Sequence, residues 1–347
     1  MATFFLVGTV DTRPADRYNR WRKDVTRMAL WIGLDIGGTK CAAVAARASD
    51  GRPEILDKRL FLTADYPRWQ DMCAVLADAA AQMCAQLHDE PVGIGISCGG
   101  PLDSRRGLVL GPPNLPGWDE VPITEFFSAR FGIPAYLQND ANACAVAEWK
   151  FGAGQGCTNM VFLTFGTGLG AGLILDGRLY CGANDMAGEV GHIRLCSDGP
   201  VGYGKVGSFE GFCSGGGIAQ LAAVRLPAFL RQGGKTALRS DDLSAKTLAE
   251  YADTGDEFAL SVYAEVGEKL GAGLSVLVDI LNPERIVIGS IYARAGHLLH
   301  ERMRRVLRRE ALARSLRVCE VVPAALGEQL GDYAALGVLA CHTEERV

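Results

Sequence analysis

The chain has 347 residues and a formal net charge of −5. It has no Lys- and Arg-rich run interleaved with aromatic residues, which argues against nucleic acid as a partner. It also has no stretch of eighteen apolar residues, so the sequence predicts no membrane span. The length exceeds what one core comfortably supports and predicts either two lobes separated by a cleft or one large α/β domain.

The first residues of the chain differ in character from the rest. Phe4–Val10 is a short apolar segment with no basic segment before it, and the charged run Asp11–Arg27 follows. This pattern does not fit a secretion signal. We expect residues 1–27 to form a disordered extension, and Met28 is an alternative start of the protein.

From Trp31 onward the sequence predicts a mixture of strands and helices. Short apolar runs bounded by glycine or polar residues indicate strands. The predicted strands are Trp31–Ile36, Cys41–Ala46, Ile55–Thr63, Val92–Ser97, Ala135–Leu137, Arg178–Tyr180, Arg285–Ile288 and Val318–Val322. Apolar residues that recur every three or four positions indicate helices. The predicted helices are Met72–Leu87, Ile123–Phe131, Ala141–Lys150, Ile218–Leu226, Leu243–Asp253, Glu257–Leu281, one that ends near Ala313, and Gly331–His342.

Eleven cysteines are scattered singly along the chain, without a C-x-x-C pair. An odd number without a disulfide framework is typical of reduced, mostly buried thiols. The cysteines therefore predict a cytoplasmic protein.

The chain contains an internal sequence repeat. Trp31–Ala46 and Met160–Leu175 both consist of an apolar strand, a short turn rich in glycine and threonine, and a second apolar strand. Identical residues stand at matching places, namely Leu34 and Leu163, Gly37 and Gly166, and Ala42 and Ala171. The repeat predicts a duplicated lobe.

The turns inside the two repeats are candidate phosphate-binding loops. The first reads Asp35-Ile36-Gly37-Gly38-Thr39-Lys40, and the second contains Gly166-Thr167-Gly168. Glycines let the backbone approach an anion closely, and successive N–H groups can point at phosphate oxygens. Either turn alone could be an ordinary tight hairpin, but together they predict a clamp for a nucleotide triphosphate. The chain has no Walker A pattern, so phosphate binding would come from these paired hairpins.

Polar residues between apolar elements are candidates for substrate binding. Asn139 and Asp140 stand where a predicted strand meets a helix, a position that aims side chains into a cleft. Asp140 could instead be only the N-cap of that helix. Further polar or backbone-exposing insertions, which could bind sugar hydroxyls, are Cys98–Pro101, Asn114–Trp118, Glu189–His192 and Glu210.

With these motifs in place, the sequence resembles the ROK family of sugar kinases and repressors, within the actin-like, hexokinase-like ATPase superfamily. The resemblance covers about residues 30–342 and depends on six motifs in the family's order. They are Asp35–Lys40, Asn114–Trp118, Gln138–Asn142, Gly166–Gly170, Gly188–His192 and Asn282–Gly289. The resemblance implies a two-lobed α/β fold with a ribonuclease H-like duplication and a central cleft. We assign residues 28–143 with about 330–347 to a small lobe and residues 144–329 to a large one.

The resemblance also implies an activity, the phosphorylation of a hexose, first glucose, at its 6-hydroxyl by ATP. Asp140 would be the catalytic base, and Asp35 would hold Mg²⁺ through water. The sugar would be bound by Gly100, Asn114, Asn139, Asp140, Glu189, His192 and Glu210. The ATP site would comprise Asp35, Gly37, Gly38, Thr39, Lys40, Thr167, Gly168 and Gly289, the last near the adenosine. A homodimer is usual for relatives.

The sequence departs from the family in one motif. Members commonly carry a zinc motif, C-x-C-G-x-x-G-C-x-E, after the Gly-His pair, whereas residues 199–210 keep the glutamate and lack the thiolates. Glu189 and His192 also lie beside cysteines, but Cys196 and Cys213 have unsuitable spacing for zinc. We therefore expect no zinc site and a loop held by packing.

Several alternatives to a glucokinase stay open. Repressor members of the family carry an N-terminal helix-turn-helix domain, and the residues before Asp35 lack the paired helices that such a domain needs. This favours a kinase. A kinase for another hexose or an N-acetylhexosamine, and a non-catalytic sugar sensor, are the remaining alternatives.

Overall fold

The computed structural model describes residues 29–49 and 51–344. The expected extension, residues 1–27, and the last three residues of the small lobe lie outside the described residues. Within the described part, no helix combines the length and the apolar character that a membrane crossing requires.

The strands follow the predicted order, with several short additions. In chain order they are β1 Leu30–Ile36, β2 Lys40–Arg47, β3 Glu54–Leu62, β4 Pro91–Cys98, β5 Leu102–Asp103, β6 Leu108–Val109, β7 Val121–Pro122, β8 Ala135–Asn139, β9 Met160–Phe165, β10 Leu169–Leu175, β11 Arg178–Leu179, β12 Val201–Gly202, β13 Lys205–Val206, β14 Arg285–Ile288 and β15 Glu320–Pro323.

The helices also lie close to their predicted places. They are α1 Trp69–Leu87, α2 Ile123–Phe131, α3 Asp140–Phe151, α4 Phe209–Phe212, α5 Gly215–Arg231, α6 Ala245–Asp253, α7 Glu257–Leu281, α8 Ile291–Glu310, α9 Ala313–Leu316 and α10 Leu330–Glu344, with 3₁₀ turns at Thr63–Asp65, Val190–His192 and Gly327–Gln329. The helix expected to end near Ala313 is two helices. Asp279 accepts a hydrogen bond from the backbone N–H of Leu312 in the break between them.

Two five-stranded sheets repeat one arrangement. The first has the order β3-β2-β1-β4-β8 and the second the order β11-β10-β9-β14-β15. In each sheet the first three strands are antiparallel and the last two run parallel to the strand that opens the repeat. The internal sequence repeat therefore corresponds to β1–β2 and β9–β10, which occupy the same place in the two sheets.

Two helices cross between the sheets and pack on each other. Helix α3 follows β8 of the first sheet but packs on β9 and β10 of the second, and α10 packs on β1 and β4 of the first. Glycines allow these close approaches. A Cβ at Gly95 in β4 would lie 2.0 Å from the carbonyl oxygen of Ala335 in α10, and one at Gly172 in β10 would lie 2.4 Å from Cβ of Ala145 in α3. The expected lobe boundary at residues 143 and 144 falls inside α3, and the division into lobes stays a prediction.

A buried carboxylate fastens α3 to the segment that leads into α10. Glu148 in α3 is fully buried. Its Oε2 accepts hydrogen bonds from the backbone N–H groups of Ala153, at 2.7 Å, and Ala325, at 3.2 Å, and its Oε1 accepts one from Leu326 at 2.9 Å. One side chain thus satisfies backbone groups from two distant loops.

We expect Glu148→Gln to destabilise the protein by about 2–4 kcal/mol. The reason is that the NH₂ group of the glutamine amide would face backbone N–H groups in a buried site, so hydrogen bonds would be lost. Urea unfolding should measure this loss. Glu250→Gln is the matched control, since Glu250 is exposed and makes only a long helix-surface pair with Lys246. The control should stay within about 0.5 kcal/mol of the wild type. Equal stability of the two variants would contradict the role of Glu148.

Candidate active site

A cavity of ≈ 290 Å³ opens at the carboxyl ends of β1, β4 and β8. It brings together predicted residues that are far apart in the sequence, namely Asp35, Gly37, Gly38, Gly100, Asn114 and Asp140. The remaining polar and small lining residues include Ser97, Gly99, Cys144 and Gly331. The carboxyl ends of parallel strands are the usual place of a binding site in an open α/β sheet.

Asp35 is a buried carboxyl group in this cavity. It is the next-to-last residue of β1 and lies beside the first turn of α10, where a Cβ at Gly331 would lie 2.8 Å from its Oδ2. Burial raises the pKa of Asp35 to about 7, the charge of Asp140 adds to the rise, and a hydrogen bond with Ser97 opposes it. Lys58, whose charge also lowers the pKa of Asp35, forms its ion pair with Asp332 at 2.7 Å. At neutral pH the site therefore favours either a proton or a cation near Asp35.

Asp140 is not the N-cap of α3. The cap is Asn139, whose side chain accepts hydrogen bonds from the backbone N–H groups of Ala141 and Asn142 at 3.0 and 3.5 Å. Asp140 is the first helical residue, and its Oδ1 accepts a hydrogen bond from the Ala141 N–H at 2.8 Å. Burial raises the pKa of Asp140, while these backbone hydrogen bonds oppose the rise. Because Asn139 caps the helix, Asp140 can face the cavity.

The first glycine turn packs directly on the Asn114 segment. The N–H of Gly37 donates to the carbonyl oxygen of Lys40 at 3.1 Å and closes the turn. A Cβ at Gly38 would lie 2.6 Å from Cβ of Asn114, so only glycine fits there without displacing Asn114. Thr39 and Lys40 are exposed at the tip of the turn and do not line the cavity.

The second glycine turn belongs to the second sheet. The N–H of Gly166 donates to the carbonyl oxygen of Gly168 at 3.1 Å, and the N–H of Gly215, at the start of α5, donates to the carbonyl oxygen of Gly166 at 2.8 Å. Gly289 follows β14, and its N–H donates to the carbonyl oxygen of Leu163 at 3.0 Å. The structure thus groups Thr167, Gly168 and Gly289 at the ends of neighbouring strands, outside the cavity wall described above.

Glu189, His192 and Glu210 belong to segments that lie beside the second glycine turn, where a Cβ at Gly191 would lie 2.2 Å from the carbonyl oxygen of Leu169. Glu210 accepts a hydrogen bond from the backbone N–H of Leu169 at 3.0 Å, beside Gly168. Burial raises the pKa of Glu189, the positive charge of His192 opposes this, and the charges of Glu210 and Asp140 add to the rise. Of the predicted sugar-binding residues, Gly100, Asn114 and Asp140 line the cavity, whereas Glu189, His192 and Glu210 are not among its lining residues.

Other residues of the site were not predicted from the sequence. Ser97 is a polar residue at the end of an apolar strand, a signal that could have identified it. Gly331 carries no comparable signal, because its place beside Asp35 depends on the packing of α10. Gln138 and Asn142 form a buried hydrogen bond of 3.1 Å behind Asp140, and the predicted motif Gln138–Asn142 contained them without a role.

The protein is similar to known proteins over most of its length. A model of the ROK family matches residues 31–341. The chain is 34% identical over 317 residues to the glucokinase of Streptomyces coelicolor, a match that covers 89% of this chain and 96% of the relative. It is 33% identical over 237 residues to the xylose repressor of Caldicellulosiruptor bescii, covering 67% of this chain and 58% of the repressor.

Solved structures give the same result for the fold. A ROK family glucokinase from Streptomyces griseus, in complex with glucose and AMPPNP, has a TM-score of 0.69 and is 32% identical, covering 88% of this chain and 98% of that one. The ROK hexokinase from Thermus thermophilus has a TM-score of 0.73 and is 29% identical, covering 91% and 99%. The predicted two-lobed, actin-like ATPase fold is confirmed.

The raised pKa of Asp35 predicts that this carboxyl group costs stability at neutral pH. An unfolded aspartate ionises near 3.8, whereas Asp35 stays protonated to about 7. Its contribution to stability is therefore complete below pH 3.8 and is lost as the pH rises through 7. We expect Asp35→Asn to raise the free energy of unfolding by about 4 kcal/mol at pH 8 and by about 1.5 kcal/mol at pH 5.

Urea titrations of ligand-free protein at both pH values measure this effect. Asp332→Asn is the control, because Asp332 is also buried but is paired with Lys58. The control should lower stability at pH 8. A destabilised Asp35→Asn protein at pH 8 would show that the carboxylate has a compensating partner.

Proposed function

The chain belongs to the ROK family, and we propose that it is an ATP-dependent hexose kinase in which Asp140 takes the proton from a sugar hydroxyl. One observation carries the proposal: Asp140 lies in a single cavity with Asp35, the first glycine turn and Asn114. Glucose is the first choice of substrate and its 6-hydroxyl the acceptor, since the similar proteins include glucokinases.

The sugar lies, in this proposal, between the cavity wall and the Glu189–Glu210 region. Carboxylate, amide and imidazole groups there hydrogen-bond the hydroxyls and fix the ring with one hydroxyl at Asp140. The sugar-binding groups are Gly100, Asn114, Asn139, Glu189, His192 and Glu210. Fixing the reactants in this way accounts for much of the rate enhancement in phosphoryl transfer.

Asp140 acts as the general base. Its carboxylate accepts the hydroxyl proton while the hydroxyl oxygen attacks the γ-phosphorus and the bond from phosphorus to the β-γ bridging oxygen breaks, leaving ADP. Burial, which raises the pKa of Asp140, brings it nearer to the working pH and makes the carboxylate a better base. General-base assistance of this kind contributes about 10²–10⁴-fold.

The nucleotide would be held by the two glycine turns. Backbone N–H groups of Gly38, Thr167 and Gly168 would face the phosphates, while Gly37 closes the first turn through its N–H. Thr39 and Lys40 would lie at the tip of that turn and Gly289 near the adenosine. The carboxylate of Asp35, next to Asp140, fits Mg²⁺, which prefers hard oxygen ligands and keeps most of its water. Bound with ATP, Mg²⁺ neutralises phosphate charge, and Asp35 would hold it through water.

A sugar-responsive regulator is the second candidate, because a xylose repressor is among the similar proteins. Such a protein binds a sugar without phosphorylating it. A coupled ADP-release assay with ATP, Mg²⁺ and a panel of glucose, mannose, fructose, allose and N-acetylated hexosamines separates the two. Turnover with any of these sugars supports the kinase and names its substrate, whereas sugar binding without ADP release supports the regulator. We also propose that the protein is a homodimer and that it is located in the cytoplasm.

Asp140→Asn should lower kcat by about 10²–10⁴-fold and leave sugar affinity measurable, because the amide keeps the shape of the carboxyl group but accepts no proton. Steady-state kinetics and titration calorimetry measure the two effects. Asp71→Asn, a surface change at a residue paired with Arg68, is the control and should keep full activity. Near-normal turnover in Asp140→Asn would contradict the role of Asp140 as the general base.

Sugar binding should also close the cleft. Helices α3 and α10 are the crossings between the sheets, so a rotation about them would bring the second glycine turn toward Asp140 and exclude water. Small-angle scattering should show a smaller radius of gyration with glucose and a non-hydrolysable ATP analogue than with buffer alone. Identical curves would argue against closure.

A further inference from the structure

A short hairpin stands where the family's zinc motif would lie. Residues 201–206 form β12, a two-residue turn and β13, between the 3₁₀ turn that ends at His192 and helix α4, which carries Glu210. When the motif C-x-C-G-x-x-G-C-x-E is aligned on Glu210, its three thiolate positions fall on Val201, Tyr203 and Ser208.

These residues do not fit a zinc ion. Val201 and Tyr203 are 41% and 73% exposed and offer no thiolate, and the hydroxyl of the buried Ser208 is already hydrogen-bonded. Within residues 29–49 and 51–344, no group of three or more His, Cys, Asp or Glu side chains could hold a metal ion. Something other than a metal must therefore hold this loop.

Hydrogen bonds fasten the hairpin at both ends. The side chain of Gln220 in α5 bonds both backbone groups of Val201, accepting from its N–H at 3.1 Å and donating to its carbonyl oxygen at 3.0 Å. At the other end, Ser208 accepts from the N–H of Gly211 at 3.0 Å and donates to the carbonyl oxygen of Gly202 at 3.4 Å. Both anchors are directional and hold the backbone itself.

Two side chains of the hairpin reach back to His192. The Lys205 ammonium group donates to the His192 carbonyl oxygen at 2.6 Å. The ring of Tyr203 meets the His192 imidazole edge to face, with centroids 5.4 Å apart and an interplanar angle of 77°. This geometry is one of the favourable arrangements of aromatic pairs.

Tyr203 occupies an unusual backbone conformation for its type. Tyr203 and Gly204 form the two-residue turn with φ values of 43° and 75°. Such turns favour asparagine, aspartate or glycine at the first position, because a positive φ strains a bulky residue. A tyrosine here costs backbone energy and supplies the ring that contacts His192.

We propose that Tyr203 and Lys205 are positioning residues for His192. The 201–206 hairpin thereby holds the segment Glu189–His192, which carries two of the proposed sugar-binding residues, without a metal ion. Lys205 fixes the backbone of His192 and Tyr203 fixes its imidazole ring. The effect on sugar binding rests on the proposed function, whereas the contact with His192 and the independence from metal do not.

The kinetic test compares Tyr203→Ala, Tyr203→Phe and Lys205→Met in the full chain. We expect Tyr203→Ala to raise KM for the hexose about threefold to tenfold, because the His192 imidazole, a proposed sugar-binding group, loses the ring that holds it in place. KM for ATP should stay unchanged, because His192 is not part of the proposed ATP site. Tyr203→Phe keeps the ring and should restore the wild-type value, and Lys205→Met should raise the same KM. An unchanged hexose KM in Tyr203→Ala would overturn the positioning role.

A second measurement does not need activity. Nuclear magnetic resonance of the histidine ring protons, with His192 assigned from the spectrum of His192→Gln, reports the ring current of Tyr203. The His192 signal should shift in Tyr203→Ala and stay in place in Tyr203→Phe. If no sugar is phosphorylated, a shift in this spectrum still supports the contact, and identical spectra refute it.

Metal analysis completes the test. Mass spectrometry of the purified protein should find zinc far below one ion per chain, and EDTA should leave Tm unchanged. Gln220→Ala should lower Tm, with or without the chelator, because it removes both anchors of Val201. Stoichiometric zinc, or a large fall of Tm in EDTA, would contradict a metal-free loop.

Discussion

The placement of two aspartates in one buried cavity is the constraint on which the site depends. Asp35 lies near the end of β1, and Asp140 begins the helix that follows β8. Burial raises the pKa of both carboxyl groups, and the charge of Asp140 adds to the rise of the pKa of Asp35 to about 7. Such a pair is unfavourable for folding and favourable for binding positively charged or proton-donating groups. The rest of the fold maintains this arrangement.

The scaffold achieves this with close backbone contacts. Glycines in β4 and β10 let α10 and α3 lie against the sheets, and Glu148 ties the end of α3 to the segment before α10. The two helices that bring the sheets together thus also hold Asp140, at the start of α3, and Gly331, beside Asp35. The same elements that define the cavity also connect the lobes.

Regular elements could be predicted from the sequence, and tertiary details could not. Helix α7 and strand β14 have the predicted bounds, because long apolar periodicity and a short apolar run are local signals. Two-residue strands such as β12 and β13 have no periodicity to detect. The choice between Asn139 and Asp140 as helix cap depends on side-chain geometry, since both are good capping residues. The roles of the site residues stay predictions, although the structure brings Asp35, Asn114 and Asp140, which are far apart in the sequence, into one cavity.

The position of α10 has a consequence for biosynthesis. This helix covers β1 and β4, where Ala335 lies against Gly95, so that face of the first sheet lacks its covering helix until α10 has been synthesised. At about 5–20 residues per second, the stretch from β8 to α10 takes roughly ten to forty seconds to synthesise. During this interval the apolar face of β1 and β4 is exposed, and exposed apolar surface of this kind is prone to aggregation.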